Sequence, residues 1–364
     1  MRSILLVIAS FAITILAWGL YGPVLHWGQA AMVTDAGREM GEKYARLRPF
    51  VCVGLAYFVI GVVVPVVLLK LKGESGEWTL RGIIFSLAGG ALGAIGALGI
   101  IMAFNFGGKP IFVMPLVFGG APVVNSFLTI YWAKRMKDIG PLFSAGLVMV
   151  LIGAITVLVF SPTPTKTVPA METESAAEAE VITDQTVDSP TKADSHKIRD
   201  FILQFVSIAT VVLCWGAYGP VLHKGQAAMH HSRLRPLLCV GLAYFAIAVI
   251  VPNLLLITAV PEASAYNFVG TTWSLAAGAA GAIGAMGIIM AFNFGGKPVF
   301  VMPLVFGGAP VVNTLFTTFN NGLLSEVKPF FLAGLILVIA GAAMVLVFAP
   351  KSPPPAKVEL AIEG

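Results

Sequence analysis

The chain has 364 residues, of which 57% are hydrophobic and 11% charged, with a formal net charge of +5 and a mean hydropathy of +0.89. That balance excludes an ordinary soluble domain, where about a quarter of residues are charged, and points to a bilayer protein.

About 20 consecutive apolar residues cross roughly 30 Å of hydrocarbon as a helix. Five such stretches occupy the first half, at 4–25, 49–69, 82–106, 110–132 and 139–160. Five more occupy the second, at 201–222, 236–260, 268–294, 298–324 and 329–348. None contains Asp, Glu, Lys or Arg, and the period-2 alternation of barrel strands is absent, so an all-α integral membrane protein with ten transmembrane helices is predicted.

The first stretch follows Arg2, as in a signal peptide, but its apolar run is too long and ends in no A-x-A-like site. It carries Trp18 and Tyr21 beside Gly22-Pro23, a predicted break. Such an aromatic pair can stack on a substrate ring or sugar face, or belong to an interfacial belt. His26 follows one turn later with Gln29, as a proton relay or as an interfacial polar group. Gly90, Gly93, Gly96 and Gly99 in the third stretch let neighbouring backbones approach closely. The turn FNFGGKP then brings Asn105 and Lys109 to the start of the fourth; Lys109 either helps hold an anion or snorkels to the interface.

Gly119, Gly120 and Pro122 are predicted to interrupt the fourth stretch near the midplane, as a gate or as a packing kink, with Asn125 three residues beyond. Residues 161–200 then change character, with eight acidic and four basic residues among Pro, Thr, Ser and Ala. They read as a disordered acidic linker and tether. Cys52, Cys214 and Cys239 show no metal spacing and read as packing residues.

The second half repeats the first. AFNFGGKPIFVMPLVFGGAPVVN (Ala103 to Asn125) recurs from Ala291 to Asn313 with Ile111 replaced by Val299. WGLYGPVLHWGQAAM from Trp18 returns as WGAYGPVLHKGQAAM from Trp215, and RLRPFVCVGLAYF from Arg46 as RLRPLLCVGLAYF from Arg233. Every candidate therefore has a partner: Trp215, Tyr218, His223, Gln226, Asn293, Lys297, Gly307, Gly308, Pro310 and Asn313. The predicted organisation is a first five-helix repeat at 1–160, the linker at 161–200, a second repeat at 201–350 and a tail at 351–364. Five spans per copy is an odd number, so the two repeats are predicted to be inverted in the membrane, an arrangement associated with alternating access. Lys and Arg number 13 on the side of the termini and 10 on the other, which predicts cytoplasmic termini in a plasma (inner) membrane.

A Trp-Gly helix opening each half, the PLVFGGAPVVN fourth helix, and the Gly-rich fifth helix GPLFSAGLVMVLIGAITVLVF resemble the drug/metabolite transporter superfamily, in particular its EamA-like ten-helix members. One departure is that the Glu common after the fourth helix of EamA-like repeats is absent, with Lys134 and Arg135, and Asn320 and Asn321, in those turns. The resemblance implies a central pocket ringed by the first four helices of each repeat, peripheral fifth helices and carriage of a small metabolite. The expectation is a secondary transporter of a small polar metabolite and not an enzyme, with no catalytic residues, cofactor or metal. The alternatives are a passive channel, an integral-membrane enzyme or a structural membrane protein. Its expected partners are the lipid bilayer and a small-molecule substrate, without nucleic acid, and a homodimer is compatible with this reading.

Overall fold

The computed structural model describes residues 2–132, 134, 136–160, 162, 192–258, 262–322 and 324–348. Most of the predicted linker and the whole of the tail at 351–364 lie outside the described residues. The first half contains α1 (Arg2–Ala31), α2 (Asp35–Glu39), α3 (Leu47–Phe58), α4 (Val64–Lys72), α5 (Leu80–Asn105), α6 (Pro110–Trp132) and α7 (Pro141–Val159). The second contains α8 (Lys192–Ala228), α9 (Leu234–Tyr244), α10 (Val251–Thr258), α11 (Phe268–Asn293), α12 (Pro298–Asn320) and α13 (Pro329–Phe348). α8 begins inside the stretch that composition assigns to the linker.

Seven helical segments among the described residues are long and apolar enough to cross a bilayer: Ile4–Ala31, Leu47–Lys72, Leu80–Asn105, Pro110–Trp132, Ile198–Ala228, Leu234–Thr258 and Phe268–Asn293. Shorter apolar helices run over Pro141–Val157 and Pro329–Val345. The protein is thus α-helical and of membrane-embedded character.

Local sequence explains the helix ends. The side chains of Thr79 and Asn267 accept from the backbone N–H of Gly82 and Gly270 and cap α5 and α11. Both helices stop at Phe-Gly-Gly: Gly107 and Gly295 take φ of +91° and +99°, and the N–H groups of Gly108 and Gly296 return to the carbonyls of Ala103 and Ala291. That left-handed step needs glycine. Pro110 and Pro298 then start α6 and α12, where a missing N–H costs nothing.

The halves pack reciprocally. α1 lies on α11 and α12, α8 lies on α5 and α6, and α7 lies on α13. Trp18 Nε1 donates to Gly281 O at 3.2 Å, and Trp215 Nε1 to Gly93 O at 3.3 Å. A methyl group on Gly96 would meet the Trp215 indole, and one on Gly284 the Trp18 indole. The glycine stripes therefore serve close helix packing, as their spacing predicts.

Two expectations about helix shape change. α1, α6 and α12 run unbroken through Gly22-Pro23, through Gly119, Gly120 and Pro122, and through Gly307, Gly308 and Pro310. Here the glycines bring helices together: a methyl group on Gly120 would meet Val212, and one on Gly308 would meet Ile15. The departures from α geometry lie instead in the second helix of each half, where Val59–Val63 and Phe245–Ile250 form π-helical turns. Each precedes a proline, Pro65 or Pro252. A wider turn relieves the clash between a proline ring and the carbonyl four residues back.

Candidate functional site

At the centre, Trp18 and Tyr21 from α1 face Trp215 and Tyr218 from α8. The two indoles stack with centroids 6.0 Å apart, and each meets the opposite tyrosine edge-on at 6.0–6.1 Å. Tyr57 and Tyr244, which stand just before the π-helical turns, complete a box of six aromatic side chains floored by Gly93 and Gly281. Its free space is about 20 Å³, enough for about one water molecule. Among the described residues that line the box there is no Asp, Glu, Lys or Arg. Among the described residues, the buried hydroxyls of Tyr21 and Tyr218 have no hydrogen-bond partner. The site thus offers stacking faces and two free phenols.

Two carboxylates close opposite ends of the second helices. Glu262, whose side chain is fully enclosed, accepts from the backbone N–H groups of Arg46, Leu47 and Arg48 at the start of α3, while the Arg46 and Arg48 guanidiniums approach to 3.6 Å. Glu74, just past α4, repeats this at the start of α9. It accepts from the N–H groups of Arg233 and Leu234 at 2.8 and 3.1 Å and from the Ser232 hydroxyl at 2.6 Å, with Arg233 Nε at 2.9 Å. Each carboxylate satisfies orphan donors and the positive end of a helix from the other half. The 26 residues from Leu47 to Lys72 separate the two clusters, about 39 Å along a helix.

Of the predicted site residues, the structure brings together Trp18, Tyr21, Trp215 and Tyr218. The asparagines serve elsewhere. Asn125 Nδ2 donates to Pro298 O and Asn313 Nδ2 to Pro110 O, at 3.3 and 3.1 Å, tying α6 to α12. Asn105 and Asn293 donate to the carbonyls of Tyr44 and His231 and anchor loops. Gln29 and Gln226 are buried and donate to Ile101 O and Ile289 O. His26 packs against Tyr44 and Phe104, and His223 against Phe292. Lys297 is the residue before α12, without a side-chain capping bond, whereas Lys109 and His26 line a second cavity of about 190 Å³.

Sequence reasoning missed Tyr57 and Tyr244, although both stand in the duplicated CVGLAYF block. It also missed Glu74 and Glu262, which stand in dissimilar loops.

No family model and no curated protein matches the chain. Solved structures do match: one, a "Crystal structure of protein", superposes at a TM-score of 0.51 with 15% identity, over 92% of this chain and 97% of its own. At that identity the likeness shows a shared fold and nothing further, so what this chain has in common with a solved protein is its helical architecture.

Proposed function

We propose that the protein is a secondary, non-ATP transporter that moves a small polar metabolite by alternating access. In this reading it has ten transmembrane helices in two inverted five-helix repeats, is akin to EamA-like drug/metabolite transporters, and keeps both termini in the cytoplasm. The observation that carries the proposal is the central aromatic box enclosed between two reciprocal carboxylate–arginine clusters at opposite ends.

A carrier needs a central site and two gates that do not open together. Glu74 with Arg233 and Arg235, and Glu262 with Arg46 and Arg48, are suited to be those gates. With both engaged, the box has no room for a metabolite, so substrate must enter as one cluster releases. The indole faces of Trp18 and Trp215 would stack on the substrate, and the Tyr21 and Tyr218 hydroxyls would take its polar groups. Because the two sets of residues are equivalent, opening at either end presents a similar surface. The reading does not need broken helices; the π-helical turns beside Tyr57 and Tyr244 supply the local irregularity.

The test is flux in proteoliposomes, with substrates chosen from metabolites that raise the melting temperature of the purified protein. Saturable uptake with trans-stimulation, abolished by Trp18→Ala or Trp215→Ala in folded protein, is expected. Non-saturating conductance would mark a channel and covalent turnover an enzyme; either overturns the reading.

A further inference from the structure

The repeat is broken in a way that makes the two ends of the bundle chemically different. Trp27 in α1 corresponds to Lys224 in α8, and Asn320 ending α12 corresponds to Trp132 ending α6. At the Lys224 end, the ammonium stands 3.3 Å over the Trp132 ring and 5.6 Å from the Phe85 ring, so a cation–π contact occupies the corner. At the other end, Trp27 instead packs on Trp273 and Phe316, with centroids 5.0 and 5.6 Å away. The shorter Asn320 leaves the cavity of about 190 Å³.

Among the described residues lining this cavity, Lys109 carries the only formal charge, and no carboxylate offsets it. Thr317, 7% exposed, also lines the cavity, and its hydroxyl has no hydrogen-bond partner among the described residues; nor has Nδ1 of His26. A buried hydroxyl without a partner is costly, and Thr317 stands in the same wall as the Lys109 ammonium and the amide of Asn320. Trp27 and Phe316 give the cavity an apolar wall.

We infer that this cavity binds a small oxyanion, a carboxylate or phosphate borne on a flat apolar body. Lys109, Thr317 and Asn320 take the oxyanion, and Trp27 and Phe316 take the body. An amine would meet the like charge of Lys109, and a wholly apolar ligand would leave the Lys109 ammonium and the Asn320 amide without a partner from it. His26 lies eight residues from Trp18 on α1, about 12 Å along the helix, so the cavity can serve as a waiting site on the way to the aromatic box. Only that role rests on the transporter reading. Binding is measured at equilibrium without flux, so the two ideas fail separately.

The experiment is calorimetric titration of the purified full chain in neutral detergent with benzoate, with its neutral isostere benzamide and with inorganic phosphate, at constant ionic strength. Benzoate should bind saturably and more tightly than benzamide. Lys109→Gln and Thr317→Val should each weaken benzoate by roughly fivefold, while Lys137→Gln, at another exposed lysine, should leave it unchanged. Repeating the titration in nanodiscs separates two sources of the oxyanion. Weaker benzoate binding in phosphatidylglycerol than in phosphatidylcholine assigns the site to a lipid headgroup; equal binding assigns it to a soluble anion. Both results keep the oxyanion site. Equal affinity for benzoate and benzamide, no effect of Lys109→Gln at an unchanged melting temperature, or no saturable binding of benzoate or phosphate overturns it.

Discussion

Tyr57 and Tyr244 lie face to face at the centre of the molecule, with ring centroids 3.5 Å apart and planes 2° apart. Aromatic pairs ordinarily prefer offset or edge-on arrangements. Here Gly93 stands against the Tyr244 ring and Gly281 against the Tyr57 ring, so the helices that supply the glycines hold the stack closed. Tyr57→Ala should leave a central void and cost about 3 kcal/mol, seen as a clear fall in melting temperature, whereas Tyr57→Phe keeps the ring and should melt close to wild type. Identical melting of the two variants would show that the stack adds nothing to stability.

The Glu74 cluster should be acid-labile. Burial pushes the Glu74 carboxyl up, but hydrogen bonds from the Ser232 hydroxyl, from the backbone and guanidinium of Arg233, and from the Leu234 N–H outweigh it and hold the pKa below the ordinary 4.5. A depressed pKa stabilises the folded state above the ordinary value, and this contribution is lost as pH falls through the depressed one. Melting temperature should therefore drop on acidification below about pH 4.5, and more steeply in wild type than in Glu74→Gln. Parallel curves would contradict this.

If the two carboxylates act as gates, each should control access from its own end. In a Cys-free background lacking Cys52, Cys214 and Cys239, a cysteine replacing Tyr21 reports on the central box. Glu262→Gln should speed its labelling by an impermeant thiol reagent from the face bearing Arg46 and Arg48. Glu74→Gln should speed it from the other face only. Faster labelling from both faces in either variant would argue against independent gates.

Gly96 and Gly284 should resist the smallest enlargement. A methyl group at either collides with an indole whose Nε1 is already hydrogen-bonded to a neighbouring glycine carbonyl. Gly96→Ala or Gly284→Ala should cost about 1–3 kcal/mol through overpacking. Gly140→Ala, where the same group meets open space, should be nearly silent in the same melts.

Local chemistry made much of the fold legible. FNFGGKP reads as a helix end, a left-handed glycine and a proline restart, and it forms that turn twice. Glycines at three- and four-residue spacing read as close packing, and they receive Trp18, Trp215, Tyr57 and Tyr244. The Gly-Pro runs do not open α1, α6 or α12, which continue through them; the irregular turns sit instead before Pro65 and Pro252. An amide in an apolar helix needs a partner, and the Nδ2 groups of Asn125 and Asn313 each find one in a proline carbonyl of the other half.

By itself, the sequence determined the apolar helical class, the duplication and the pairing of each polar residue with an equivalent, since all three depend on composition, on short-range periodicity and on direct repetition. Tertiary structure alone decided that four aromatic residues of the first helices meet two tyrosines of the second, that Glu74 and Glu262 each cap a helix of the opposite half, and that Lys224 fills one corner while Lys109 faces an open one. Those outcomes depend on side chains from separate helices being pressed together, where enclosure strengthens each charge and orients each ring. No local pattern carries that information.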